Sequence, residues 1–242
     1  SFQFTKNTKF LWPLNRNLIL WENLQTMSGK AAFAIQTLFS TASRDRCIAN
    51  MMKFPIPRRQ GKEPTASAAV LIPLCDVDNT PSLLYTVRAD NLRSHSGQIS
   101  FPGGKMDKNE TLVQTALRET EEEIGLSRTK IELWGQGPPV PGRNNQIMIT
   151  PVVGAIRCLE EKDLDINKEE VAQIFTLPIE SLCEKKNQLY TQFNNGFILP
   201  VFIVDHYRIW GVTGVLTHML LSSLFTKDVY KNEWMRRKVE LK

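Results

Sequence analysis

Three glutamates, Glu119, Glu122 and Glu123, stand at spacings i, i+3 and i+4 in the run Leu117 to Gly125. On a helix that spacing gathers all three carboxylates on one face. Each exposed like-charge pair so placed costs about 0.2–0.5 kcal/mol. Such a stripe has two readings. One is a solvated surface, the usual fate of a Glu run. The other is a seat for a hard divalent cation, because Mg²⁺ prefers carboxylate oxygens and keeps positions open for water and phosphate. A cation held there would neutralise phosphate oxygens and lower the pKa of an attacking water. No Ser/His/Asp or Cys/His constellation is evident, so covalent nucleophilic catalysis has no support.

The element that must carry these carboxylates has clear ends. Thr111 followed three residues later by Gln114 is a capping-box pattern. Gly125 stands where a helix end favours a left-handed residue. The predicted helix therefore spans Leu112 to Ile124. Val113, Ala116, Leu117, Thr120 and Ile124 form its other face, which should dock on a sheet. Strands are predicted at Ser67–Cys75, Ser82–Arg88, Ile131–Gly135, Met148–Ile156, Leu199–Val204 and Tyr207–Val212, and a second helix at Gly214–Phe225. Gly137 to Asn145 reads as a loop from its Pro and Gly content. Strands alternating with a few helices predict an α/β class, built as an α/β/α sandwich.

At 242 residues with 42% apolar and 23% charged side chains, the chain has the balance of a globular domain with an extension. It contains no apolar run of membrane-spanning length. Cys47, Cys75, Cys158 and Cys183 form no C-x-x-C pair, so neither a zinc site nor a disulfide framework is expected. The net charge of +5 is uneven: residues 1–60 hold nine cations against two acids, a net of +7, which leaves −2 for the rest. The basicity therefore belongs to a leader and gives no warrant for nucleic-acid binding. Leu24, Met27, Ala31, Ile35 and Leu38 recur there at helical spacing, among Ser, Thr and Arg. That pattern resembles an organelle transit peptide; an untargeted disordered extension is the other reading. The division expected is a basic leader and linker over residues 1–61, a catalytic domain over 62–231 with its folded part starting near Thr65, and a basic tail over 232–242.

The spacing around the glutamates decides between their two readings. Gly104, five residues, Glu110, seven residues, Arg118-Glu119-Thr120, one residue, Glu122-Glu123, one residue, Gly125-Leu126 reproduces the nudix box. Seven fixed positions, each filled by chance at roughly 5–7%, give odds on the order of one in 10⁸ per start site. The sequence therefore resembles the nudix superfamily, which implies a mixed sheet and the nudix loop–helix motif. The resemblance implies Mg²⁺ or Mn²⁺ as cofactor, with Glu119 and Glu123 as principal metal ligands and Glu122 as a further ligand or the holder of a metal-bound water. It gives Arg118 the task of holding these carboxylates. Gly103 and Gly104 would let the backbone bend close to the helix, and Glu110 would support the loop–helix geometry.

A second pattern lies just upstream. Thr86, Arg88, Ala89, three residues, Arg93, three residues, Gly97, three residues and Phe101-Pro102-Gly103-Gly104 resemble the added signature of the coenzyme A diphosphatase branch of that superfamily. This implies a small-molecule substrate, coenzyme A or an acyl-CoA, cleaved at its pyrophosphate to 3′,5′-ADP and 4′-(acyl)phosphopantetheine. Arg88, Arg93, His95 and Lys105 are then candidates for phosphate recognition; the alternative for Arg88 is a pair with a neighbouring carboxylate. Glu169 and Glu170 are candidate general bases, as is a box glutamate, although capping or solvation is the simpler role for either. His206 and His218 read as structural. The resemblance also implies a mitochondrial matrix location, with the cytoplasm as alternative, and admits a homodimer. Rival readings are a nudix hydrolase for ADP-ribose or NADH and a catalytically silent nudix ligand-binding module.

Overall fold

The computed structural model describes residues 30–56, 63–89, 97–142, 146–193 and 196–240. Two short helices come first, α1 (Ile35–Leu38) and α2 (Thr41–Met51). Then follow β1 (Ala66–Val77), β2 (Thr80–Arg88), β3 (Ile99–Ser100), β4 (Gly103–Lys105), α3 (Leu112–Ile124), β5 (Glu132–Gln136), β6 (Val140–Pro141), β7 (Ile147–Ile156) and β8 (Val171–Pro178). The chain continues through α4 (Ile179–Cys183), β9 (Gln188–Gln192), β10 (Ile198–Val204), β11 (Tyr207–Ile209) and α5 (Gly211–Leu224). Strands β1 to β8 form one eight-stranded sheet, and β9 to β11 a second of three. The large sheet is mixed: β1 runs parallel to β7 from Ala66↔Ile147 to Cys75↔Ile156, whereas its other partners are antiparallel.

Strand period explains the two-sided core. Successive side chains point to opposite faces. Along β1, Ala69, Leu71, Cys75 and Val77 face the layer holding α3, and Ile72 and Leu74 face the layer holding α5. β7 does the same, with Val152 and Ile156 on the first face and Val153 and Ala155 on the second. Both faces are covered, so the central strands are apolar throughout rather than alternating with polar residues. The β1–β2 connection is a two-residue turn in which Asp78 and Asn79 both take positive φ, 48° and 62°, as the twist of a tight hairpin demands. This is the α/β/α sandwich with a mixed sheet that the sequence predicts.

Most boundaries agree with the sequence to within three residues, and α3 agrees at both ends. Four features differ. β11 stops at Ile209 and α5 begins at Gly211, where a strand was predicted to continue to Val212. β3, β4, α4, β8 and β9 were not predicted. The loop around Val140 contains the short β6, paired with Met148 and Ile149. The fourth difference is the largest: the packed body begins well before Thr65. Leu38, Phe39, Cys47 and Met51 are buried within the main core. From α2, Arg46 Nη2 donates to the Leu224 carbonyl (3.3 Å) and Asn50 Nδ2 to that of Ser223 (3.1 Å), which satisfies the carboxyl end of α5. Of the helical repeat read in the leader, Leu24 and Met27 lie outside the described residues. No helix among the described residues is long and apolar enough to cross a membrane.

The segment after α5 is also bound to the body. Tyr230 and Trp234 are buried. The Glu233 N–H donates to Gln188 Oε1 (2.8 Å), and Tyr190 exchanges backbone hydrogen bonds with Arg237 and Val239, so this stretch runs alongside β9. His218 of α5 joins the late and early segments. Its ring is 5.5 Å from Phe54 and 5.5 Å from Trp234, and Nδ1 lies 2.8 Å from the Tyr230 hydroxyl. The structural reading of His218 agrees with this position.

Two stability predictions follow from these contacts. A chain cut to begin at Thr65 loses four buried core side chains and should be less stable than one beginning at Lys30 by on the order of 5 kcal/mol or more. Urea unfolding of the two proteins measures the difference; equal midpoints would mean that α1 and α2 are accessory. Burial also lowers the His218 pKa from 6.5 to about 4. The unfolded chain then binds the extra proton between those values, so stability is retained above pH 6.5 and lost as pH falls toward 4. A His218→Gln protein should lack this acid-side loss, on the order of 2–3 kcal/mol, in urea midpoints taken at pH 7, 5 and 4.

Candidate active site

Helix α3 is fixed at both ends as its sequence requires. The Gln114 N–H donates to Thr111 Oγ (3.2 Å) and the Thr111 N–H to Gln114 Oε1 (2.8 Å), a complete capping box. At the other end Gly125 has φ 67°, and a Cβ there would lie 2.7 Å from the backbone nitrogen of Asp165. This close approach continues as backbone bonds from Asp165 N–H to the Ile124 carbonyl (2.9 Å) and from Asn167 N–H to the Glu123 carbonyl (3.0 Å). The loop before β8 is thus suspended from the end of α3.

On the sheet side, β4 brings two glycines against the helix. Its register pairs Val70 with Gly103, Ala69 with Gly104 and Ala68 with Lys105. Gly103 has φ 152°, and a Cβ there would meet the Ala69 carbonyl oxygen at 2.3 Å. A Cβ on Gly104 would stand 2.4 Å from the Glu119 carboxyl carbon. Only glycine lets backbone and carboxylate come so close. The Gly103 N–H also donates to Glu123 Oε2 (3.1 Å).

One guanidinium organises the acidic face. Arg118 Nε donates to Glu110 Oε1 (2.6 Å) and Nη2 to Glu110 Oε2 (3.1 Å), a two-pronged pair. Nη1 donates to Glu122 Oε2 (2.9 Å) and lies 3.0 Å from Glu119 Oε1. Nη2 further reaches the Lys105 carbonyl (3.3 Å). Glu110 also accepts from Thr115 Oγ1 (2.9 Å) and the Asp107 N–H (3.3 Å), so it ties the loop to the helix. The Arg118 contact holds the Glu110 carboxyl down at about 2. The same carboxylates raise the pKa of Arg118.

The three glutamates differ in environment despite their shared spacing. The Glu122 side chain is 53% exposed, that of Glu119 16% and that of Glu123 only 3%. Burial pushes Glu119 upward. It pushes Glu123 up to about 7, against the opposing pull of the Gly103 N–H and Arg88, while Glu119 and Glu170 add repulsion. Glu123 falls on the buried side of the helix, a position the spacing alone does not reveal.

Arg88, at the end of β2, lies 3.6 Å from Glu123 Oε1. This is the carboxylate pairing that stood as the alternative to phosphate recognition. Of the two candidate bases, Glu169 is exposed, whereas Glu170 is partly buried and its charge acts on both Glu119 and Glu123. Its carboxylate accepts from Asn167 Nδ2 (3.3 Å), and its carbonyl from the Ala89 N–H (2.9 Å). Asn167 was not singled out from the sequence, although an Asn before a Lys-Glu-Glu turn is a signal for this side chain-to-backbone geometry: its Oδ1 accepts from the Glu169 N–H (3.1 Å). Lys105 is exposed at the end of β4. Arg93 and His95 lie outside the described residues. His206 packs on Tyr207, away from these groups in role.

The family model described as NUDIX domain matches residues 65–197. The chain belongs to the nudix family. Among nudix relatives, it is 43% identical over 165 residues to the mitochondrial coenzyme A diphosphatase NUDT8 of Homo sapiens, covering 66% of this chain and 70% of that protein. It is 35% identical over 220 residues to nudix hydrolase 3 of Caenorhabditis elegans, covering 81% and 90%. A solved nudix hydrolase from M. Smegmatis, RenU, matches with a TM-score of 0.41 at 21% identity, over 52% of this chain and 76% of that one.

As in the sequence reading, the nudix carboxylates offer oxygen donors only, which suits a hard cation. The Gly104 cradle holds Glu119 against the sheet, and Glu123 is buried with its charge only partly offset. Among the described residues the acidic side chains do not close on one another into a three-ligand cluster. They are held instead by Arg118, Arg88 and the Gly103 N–H. Replacing Arg118 with Lys keeps the charge but loses the fork. Arg118→Lys should lower pyrophosphate hydrolysis roughly 10–100-fold while the melting temperature changes little. Turnover within twofold of wild type would show that the fork does not position the carboxylates.

Proposed function

We propose that this nudix hydrolase cleaves the pyrophosphate of coenzyme A or an acyl-CoA to 3′,5′-ADP and 4′-(acyl)phosphopantetheine. The observation that carries the reading is the meeting of its two signatures. The upstream run delivers Arg88 and Gly103 directly to Glu123, so branch-specific and general residues build one site. The coenzyme A diphosphatase relatives support the same substrate.

In this reading Glu119 and Glu123 would hold a divalent ion, Mg²⁺ or Mn²⁺, with Glu122 as a further donor. When bound, the ion supplies charge neutralisation of the phosphate oxygens and a lowered water pKa. Arg118 keeps Glu119 and Glu122 from rotating away. Glu170 is the general base: it accepts the proton of the attacking water as the new P–O bond forms and the bridging P–O bond breaks, with the bridging electron pair leaving on the departing phosphate. Asn167 orients Glu170. Arg88 offsets part of the cost of burying the Glu123 charge. Arg93, His95 and Lys105 remain assigned to phosphate recognition.

A mitochondrial matrix location is part of the proposal, supported by the named mitochondrial relatives and the basic residues Lys6, Lys9 and Arg16. Because α1 and α2 complete the core, removal of a leader compatible with this fold would end before Lys30 rather than at residue 61.

The full chain should release 3′,5′-ADP from coenzyme A in the presence of Mg²⁺ or Mn²⁺, as identified by mass, and a chelator should abolish the reaction. Glu123→Gln should reduce the rate on the order of 100-fold or more. Turnover of ADP-ribose or NADH alone would overturn the substrate assignment, and normal turnover by Glu123→Gln would overturn the site.

A further inference from the structure

Among the described residues, the cations nearest the proposed catalytic carboxylates are already engaged. Arg118 is divided among Glu110, Glu119 and Glu122, and Arg88 faces Glu123. A substrate that carries a phosphate monoester besides its pyrophosphate must find counter-charge elsewhere. A cavity of about 450 Å³ lies between the start of β1 and the loop that follows β4. Lys105 and Lys108 both line it. Both lysines are exposed, and among the described residues neither ammonium has an ion pair or hydrogen bond. Asp107, on the same loop, also lines the cavity, and its carboxylate is paired with Arg118 at 3.8 Å.

Position along the strand ties this cavity to the site. Gly104, in contact with Glu119, pairs with Ala69, and Lys105 pairs with Ala68. The cavity extends from there past Ser67 and Ala66. At about 3.3 Å per residue, its near part at Ser67 and Ala66 is roughly 7–10 Å from the level of the carboxylates, and its far end at Pro64 is about 17 Å away. A ribose ring separates two phosphates on one nucleotide by a span that the near part matches.

We infer that this cavity takes the phosphate monoester of the nucleotide whose pyrophosphate lies at the carboxylates, with Lys105 and Lys108 as its counter-charges. The inference rests on the substrate reading above, where that group is the 3′-phosphate of coenzyme A. The fully hydrated lysines act as point charges, so the discrimination is modest and salt-sensitive.

The test is calorimetric binding of 3′,5′-ADP and of 5′-AMP to the full chain, wild type and Lys108→Glu, beside kcat/KM for coenzyme A and 3′-dephospho-coenzyme A. Lys108 is exposed, and matching melting temperatures would show that the variant folds. Wild type should prefer the bisphosphate, and Lys108→Glu should narrow both ratios by roughly three- to tenfold. Equal binding of the two nucleotides by wild type would overturn the inference. So would a variant that weakens both nucleotides by one factor. If neither form of coenzyme A is hydrolysed but the bisphosphate preference is present and falls in Lys108→Glu, the cavity assignment stands and the substrate reading fails.

Discussion

A single guanidinium shared among three carboxylates sets the geometry on which the acidic face depends. Glu110, Glu119 and Glu122 come from a loop and two turns of one helix, and left alone they would repel. Arg118 converts that repulsion into order, because its planar fork fixes direction as well as distance. The bond to the Lys105 carbonyl extends the same group to β4. Loop, helix and strand therefore share one anchor, and the two glycines opposite it let the sheet approach closely enough for the anchor to matter.

Glu123 shows a different balance. It stands one residue from Glu122, yet burial rather than pairing dominates its environment. Charge in such a place is costly. The Gly103 N–H and Arg88 offset part of that cost. A carboxylate held close to its neutral form is responsive to any further positive charge. Of the three glutamates, it is the one that solvent reaches least.

Much of this was legible in the sequence, for reasons tied to particular residues. Thr111, Gln114 and Gly125 carry local signals, so α3 could be bounded from its own residues. The apolar runs of β1 and β7 read as strands because both faces are buried. The spacing from Gly104 to Leu126 specified which side chains share the site. What stayed hidden depends on distant contacts. Strand β8, VAQIFTLP, mixes polar and apolar residues and acquires its identity by pairing with β2. The helices of residues 35–51 looked like a leader because their polar and basic surface is conspicuous, whereas Leu38, Cys47 and Met51 become core only once α5 lies over them. Arg88 could be read as a phosphate ligand or a carboxylate partner until β2 brought it beside the helix.

The chain after Trp234 has a consequence of another kind. An exposed sheet edge carries a row of unpaired N–H and C=O groups, a template on which a foreign strand can add. In the smaller sheet β9 is such an edge, and Arg237 to Val239 occupy it through Tyr190. Residues 237–239 thus take up backbone groups of Tyr190 on which a foreign strand could otherwise add, and so guard this border against strand-by-strand self-association.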